Sequence, residues 1–290
     1  MSKILEETYT LASGTEVPRM GLGTWLMDDA EAKQAVVDAV TAGYRMIDTA
    51  QAYGNEEGVG EGIRTCGTPR EQLFIGTKVA AELKDHDSVA ASIDESLAKL
   101  GLDYVDQMII HSPQPWAEVN QSSDRHEEGN LAAWSALEEA QAAGKVRVIG
   151  VSNFNEHDIE NILGNASVKP QVNQVLAHIS NTPSELIDFC RAHGILVEAY
   201  SPIAHGMVLT NPLVTEVAGH YGVTAAQLCV RYCLQLGLLP LPKTANPKHM
   251  ANNAQVDFEI SDEDMQKLRA AEHIKDYGDS SFFPVYGGKL

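Results

Sequence analysis

The chain reads as an α/β protein of the closed (β/α)8 TIM-barrel class, with an N-terminal β-hairpin and a C-terminal tail near the mouth. Three observations predict this. First, eight short apolar runs alternate with amphipathic helical stretches along 290 residues, the pattern of repeated strand–helix units on a parallel sheet. Second, connections are short and no linker or second repeat family divides the chain, so residues 1–290 are expected to form one barrel domain. Third, an open doubly wound sheet wants a Gly-rich phosphate turn directly after its first strand. The GxGxG run at 58–62 falls after the second strand instead, and reads as close helix packing.

Each element has a local reason. In the N-terminal region 1–19, the run TYTLASGTEVPR (8–19) flanks a Ser13-Gly14 turn and predicts the hairpin. Residues 20–23 form the first strand. Asp28 can cap a helix over 29–42, whose apolar face carries Ala32, Ala35, Val36, Ala39 and Val40, and Gly43 stops it. Residues 44–47 are the second strand, ending on Asp48, and a helix runs over 56–64. The third strand spans 73–77 and ends on Lys78. A helix opening at Asp87 or Ser88 runs to Leu100. The fourth strand, 105–110, ends on His111, and a polar loop covers 112–128. Beyond it lie a helix at 130–143, a strand at 146–151, a helix at 156–163 and a strand ending at Asn173-Gln174. A helix at 183–193 and a seventh strand at 195–199 follow, then helices at 212–221 and 225–235. The eighth strand, 238–241, precedes helices at 247–253 and 261–271 and the tail 272–290.

Forty acids against 21 bases leave a net charge of −19. Such a field repels nucleic acid and anionic membranes, so neither is expected as a partner. The acids are spread along the chain. They read either as an ordinary soluble surface or, as a hypothesis, as adaptation to a high-salt cytoplasm in a halophilic source, where salt screens self-repulsion. An unfolding midpoint indifferent to added KCl would count against the second reading. The four cysteines form no CxxC pair and read as small buried hydrophobes. No histidines stand at HxxxH spacing and no Cys lies at ligand spacing to a His, so no metal is expected. The N-terminus lacks an apolar signal core and no apolar run reaches membrane-spanning length. A cytoplasmic protein is expected, and a monomer.

In a barrel of this class the C-terminal strand ends converge on one mouth. The tips are Asp48, Lys78, His111, Ser152-Asn153, Asn173-Gln174, Tyr200-Ser201 and Lys243, and Tyr53 follows in a Gly54-Asn55 turn. Titratable groups at successive tips suit proton transfer to a carbonyl oxygen. A free phenol has a pKa near ~10, too high for an efficient acid at neutral pH. A nearby ammonium pulls it down, and a carboxylate holds the ammonium charged. Asp48, Lys78 and Tyr53 therefore make a relay with Tyr53 as acid, and His111 can orient the carbonyl. The alternative is an Asp48–Lys78 pair kept for stability alone, although buried pairs seldom gain net stability over apolar packing. No side chain supplies a hydride, so reduction needs a cofactor. Tyr200 offers a ring for stacking on a nicotinamide, and Ser152, Asn153 and Gln174 offer hydrogen bonds to its carboxamide. Lys243, Thr244 and Lys248 cluster before a helix opening at Pro247, which suits a phosphate or else is a solvated turn.

Seven separated segments carry a resemblance. GLGTW (21–25), GYRMIDTAQAYGNEEGVGEGI (43–63), LGLDYVDQMIIHSP (100–113), GKVRVIGVSNF (144–154), QVNQ (171–174), AYSPIA (199–204) and LPKTANP (241–247) stand in the order of the aldo-keto reductases, which the chain resembles over nearly its whole length. The resemblance implies an NADPH-dependent reductase of aldehydes or ketones, sugar and keto-sugar carbonyls included. It implies a catalytic tetrad of Asp48, Tyr53, Lys78 and His111. It implies NADP(H) held by Thr24, Ser152, Asn153, Gln174, Tyr200, Ser201, Lys243, Thr244, His249 and Asn253, and a substrate pocket including Trp25, His111 and Trp116. His249 stands where many members carry an arginine for the 2′-phosphate, which leaves room for NADH. Ser112 stands where a Trp is frequent, and the tail matches no usable pattern, so the substrate is left open. Two rival readings remain: a barrel that binds NADP(H) without turnover, and a Schiff-base enzyme using Lys78, which would need that lysine neutral.

Overall fold

In the computed structural model, which describes residues 2–290, the Ser13-Gly14 turn closes an antiparallel pair, β1 (Thr8–Thr10) and β2 (Glu16–Pro18). Eight parallel strands follow: β3 (Gly21–Gly23), β4 (Met46–Asp48), β5 (Phe74–Val79), β6 (Val105–Ile110), β7 (Val146–Ser152), β8 (Val172–Leu176), β9 (Leu196–Tyr200) and β10 (Leu239–Leu241). They pair in chain order from β3 to β10. The ring closes where Gly23 N donates to Pro242 O at 3.2 Å and Gly23 bridges Lys243 in parallel. The expected (β/α)8 barrel is therefore present.

The helices α1 (Asp29–Ala42), α2 (Glu56–Thr65), α3 (His86–Leu100), α4 (Glu127–Ala142), α5 (Glu156–Asn165), α6 (Ser184–Ala192), α7 (Pro212–His220), α8 (Ala225–Gln235), α9 (Pro247–Asn253) and α10 (Asp262–Arg269) surround it. Strand alternation splits the core in two. Outward residues such as Leu22, Ile47, Ile75 and Met108 pack against the helices. Inward residues Met46, Phe74, Ile109, Val148, Val172, Leu239 and Leu241 fill the barrel with Leu11 and Val17 of the hairpin region. The hairpin thus plugs the N-terminal end and leaves the other end for chemistry. The glycine run packs as expected: a Cβ on Gly60 would stand 2.2 Å from Leu100 O, where α2 meets the end of α3.

Several boundaries differ from the sequence reading. Helix α3 starts one residue earlier, because Asp85, not Asp87 or Ser88, caps it through Ser88 N at 3.0 Å. Helix α4 starts at Glu127, three residues before Asn130, behind a left-handed His126 whose N–H is held by Asp124 at 2.8 Å. Tyr44 lies before β4. Its N–H closes α1 on Ala39 O, and its hydroxyl donates to Met250 O at 3.0 Å. Lys78, Asn173 and Gln174, expected at strand ends, lie inside β5 and β8, which run on to Val79 and Leu176. Polar side chains do not interrupt ladder pairing, so the strands continue through them. Unforeseen 3-10 turns form at Gln51–Tyr53, Ala204–Thr210, Gly278–Ser280 and Pro284–Tyr286.

Candidate active site

Residue alternation along β4 and β5 turns Asp48 and Lys78 into the barrel. Lys78 is fully buried, and its Nζ donates to Asp48 Oδ2 at 2.6 Å and to Thr49 O at 2.8 Å. Burial alone would lower the lysine pKa. The Asp48 charge and then Tyr53 outweigh burial and leave it above the ordinary 10.5. The ammonium is therefore charged at neutral pH, which removes support for an amine nucleophile there.

Tyr53 sits on the 3-10 turn Gln51–Tyr53, which sequence reasoning missed. Gln51 ties that turn down. Its Nε2 donates to Ser92 O and Ser96 Oγ at 3.0 Å each, and its Oε1 accepts from Ala80 N at 2.8 Å. Gly54 ends the turn at φ +66, a region glycine enters freely. Buried Asn55 holds the outgoing chain by donating to Thr24 O at 2.9 Å and Met27 O at 3.0 Å. The turn places the Tyr53 ring with its centre 5.0 Å from Lys78 Nζ. The expectation that Lys78 brings the phenol pKa below its ordinary value needs correction. Lys78 does lower it, but burial raises it more, and the net shift is upward from 10.0. The phenol accordingly keeps its proton across the neutral range.

His111 follows β6 and meets the Tyr53 ring edge-on, with centroids 5.6 Å apart, and the Trp116 ring at 5.1 Å. Burial, then the Lys78 charge, hold its pKa well below 6.5, so the imidazole is neutral. Its Nδ1 is buried without a partner. No acceptor at Nδ1 holds a proton there, which leaves Nε2 free to carry it. His111 can then donate from Nε2.

The other predicted residues surround this group. Thr24 Oγ1 donates to Asp48 O at 3.0 Å. Ser152 Oγ donates to Gln174 O at 2.8 Å. Asn153, at φ +61, joins two strand ends: its Nδ2 donates to His111 O at 2.9 Å, and its Oδ1 accepts from the Tyr200 hydroxyl at 2.8 Å. Ser201 Oγ meets the Tyr286 hydroxyl at 2.9 Å. Gln174 Nε2 donates to Asp48 Oδ1 at 3.0 Å and to Glu198 Oε2 at 2.7 Å. Glu198 and Gln107, both fully or almost fully buried in the barrel, were missed. The signal was available, because Glu198 lies two residues before Tyr200 and so shares its inward face.

A cavity of about 470 Å³ opens above these groups. Asp48, Tyr53, His111, Ser152, Asn153, Gln174, Tyr200, Ser201 and Lys243 line it, with Trp25, Trp116, Phe283, Val285 and Tyr286 as walls. The tail supplies the last three and is anchored by Asn120 Nδ2 donating to Pro284 O at 2.8 Å. Trp25 packs on Phe283 at 5.5 Å between ring centroids. Thr244, His249 and Asn253 do not line the cavity: His249 is exposed on α9, and Asn253 is buried at its end. The first turn of α9 is capped by Asn246, which accepts from Lys248 N at 2.9 Å. Among the described residues, no group of three or more His, Cys, Asp or Glu stands together as a metal site. None of the described helices is long and apolar enough to cross a membrane.

Comparison with known proteins gives a consistent result. A family model described as the aldo/keto reductase family matches residues 19–273. A glyoxal reductase of Bacillus subtilis (strain 168) is 40% identical over 272 residues, covering 93% of this chain and 94% of that protein. The crystal structure of an aldo/keto reductase from Brucella melitensis superposes with a TM-score of 0.86 at 33% identity, covering 93% of this chain and 98% of that one. The crystal structure of a Bombyx mori aldo-keto reductase in complex with NADP superposes with a TM-score of 0.83 at 32% identity, covering 97% of this chain and 98% of that one.

Proposed function

The chain belongs to the aldo/keto reductase family, and on that premise we propose that it reduces aldehydes and ketones to alcohols with NADPH, Tyr53 giving the proton. The observation that carries the proposal is that Asp48, Tyr53 and His111 meet on the lining of one cavity with Lys78 buried behind them, its Nζ 2.6 Å from Asp48 and 5.0 Å from the Tyr53 ring centre. The lining also fits a nicotinamide nucleotide. It offers the Tyr200 ring, the Gln174 amide and the Lys243 cation along one wall. The Bombyx mori structure with NADP supports the same assignment. Thr244, His249 and Asn253 would act from outside the cavity, on the far end of the nucleotide.

A reduced nicotinamide, when bound, supplies hydride to the carbonyl carbon. The chain's residues handle the oxygen. His111 Nε2–H donates a hydrogen bond to it and fixes the carbonyl's direction. Tyr53 gives its phenolic proton to the oxygen as negative charge develops there. The charge that then appears on the Tyr53 oxygen faces the Lys78 ammonium, which Asp48 and Thr49 O hold in place. The raised resting pKa keeps the acid loaded, and Lys78 stabilises its conjugate base.

The walls define a substrate class. Trp25, Trp116, Phe283 and Val285 present apolar surface and few polar partners. Apolar and aromatic aldehydes suit them better than open-chain sugars, whose hydroxyls would lose water without replacement. Initial rates with NADPH across benzaldehydes, small dicarbonyls and aldoses test this. Aldoses as the best substrates would overturn the assignment of class.

A further inference from the structure

Strand β9 carries a second acid into the barrel. Glu198 is fully buried, and its Oε2 accepts from Gln174 Nε2 at 2.7 Å and from Gln107 Nε2 at 3.1 Å. The same Gln174 nitrogen donates to Asp48 Oδ1 at 3.0 Å, while Asp48 Oδ2 holds Lys78 at 2.6 Å. One amide nitrogen on β8 is thus shared by two acids, one on β4 and one on β9. An amide has two N–H donors at its nitrogen and its acceptor at the other end. With both donors turned toward the acids, Gln174 offers its carbonyl Oε1 to the cavity it lines. Glu198 Oε1 has no partner, so the carboxyl's role runs through Oε2.

We propose that Glu198 is a positioning residue for the reduction, fixing the orientation of the Gln174 amide and, through it, the seat of Asp48 and Lys78 under Tyr53. The inference rests on the reductase reading above. Without an acceptor at 198, Gln174 loses the partner that holds its nitrogen inward. The amide can then rotate, present N–H to the cavity and leave Asp48 Oδ1 without its donor. Both the ligand-facing acceptor and the Lys78 anchor are disturbed by one change that touches neither substrate nor cofactor.

The test compares full-length Glu198→Gln, which keeps an acceptor oxygen, with Glu198→Met, which does not. NADPH oxidation with an aldehyde, NADPH affinity by fluorescence and the thermal midpoint are measured for both. E198Q is expected within about threefold of wild type in kcat. E198M is expected to lose about tenfold or more in kcat and several-fold in NADPH affinity, with the aldehyde KM moved less. An E198M variant within twofold of wild type on kcat and NADPH affinity overturns the proposal. So does an E198Q variant as impaired as E198M, because charge and not an acceptor would then be needed. Glu198→Leu is the second apolar variant if E198M does not fold. Failure of both to fold also overturns the proposal, since the residue would then be a requirement of the core. A wild-type chain that oxidises no NADPH with any aldehyde defeats the reductase reading itself. An active wild type with an unmoved E198M defeats the positioning role alone.

Discussion

Lys78 Nζ lies 2.6 Å from Asp48 Oδ2 with both side chains all but closed to solvent, at 0% and 6% exposure. Two charges leave water at high cost, and such a pair is weak evidence for stability by itself. Its second contacts give it a purpose. The same ammonium is held by Thr49 O at 2.8 Å and stands 5.0 Å from the Tyr53 ring centre. On the proposed mechanism, the pair sets a fixed positive charge where the Tyr53 phenolate would form.

Lys78→Met removes that charge and leaves Asp48 buried without its counter-ion. Stability should fall by about 3–5 kcal/mol, and kcat by about 100-fold or more. Denaturant unfolding and single-turnover kinetics read the two losses separately. A variant with wild-type kcat would leave the pair a purely structural feature.

The pH dependence has a definite sign. His111 must charge on the acid side, below its ordinary 6.5. Tyr53 loses its proton on the alkaline side, above its ordinary 10.0. For carbonyl reduction, the acid limb of kcat/KM set by His111 should therefore have its midpoint below 6.5, and the alkaline limb set by Tyr53 its midpoint above 10.0. An alkaline limb with its midpoint below 10.0 would mean that the Lys78 charge outweighs burial in solution.

Trp116 packs at 4.9 Å on Phe283 and at 5.1 Å on His111, between ring centroids. Trp116→Ala should raise KM for an aromatic aldehyde by about tenfold, the equivalent of about 1.4 kcal/mol of lost wall contact. Glyoxal, which has no ring to pack on the indole, should change much less. Equal losses on both substrates would point to a displaced His111 instead.

Gly60→Ala isolates the scaffold from the chemistry. Its new methyl would meet Leu100 O at 2.2 Å, and backbone cannot swing away as a side chain can. The expected cost is about 1–3 kcal/mol of stability, with kcat unchanged at room temperature. A midpoint equal to wild type would show that α2 can shift off α3 freely.

Much of this site was legible from short-range pattern. Asp48, His111 and Ser152 follow or end apolar runs, and a residue at a strand end of a barrel faces the mouth. Lys78 and Gln174 were identified but taken as the strand ends, because a polar residue looks like a strand end when only hydropathy is read. Both are inside their strands, where alternation aims them into the lumen. Glu198 was hidden for the same reason: a single acid in the run at 195–199 reads as an imperfection of the strand rather than a lumen group. The Tyr53 turn depends on Gln51 reaching α3, and the walls depend on a tail far along the chain, so neither leaves a local signature. The upward shift of the Tyr53 phenol came from burial, which no spacing in the sequence expresses.

The central claim is that Tyr53 is the acid, and Tyr53→Phe tests it most directly, since the exchange removes one oxygen and keeps the ring. NADPH oxidation with an aldehyde should fall by about 100- to 10,000-fold in kcat, while NADPH affinity by fluorescence stays near wild type. A Tyr53→Phe enzyme that keeps kcat within tenfold of wild type contradicts the account.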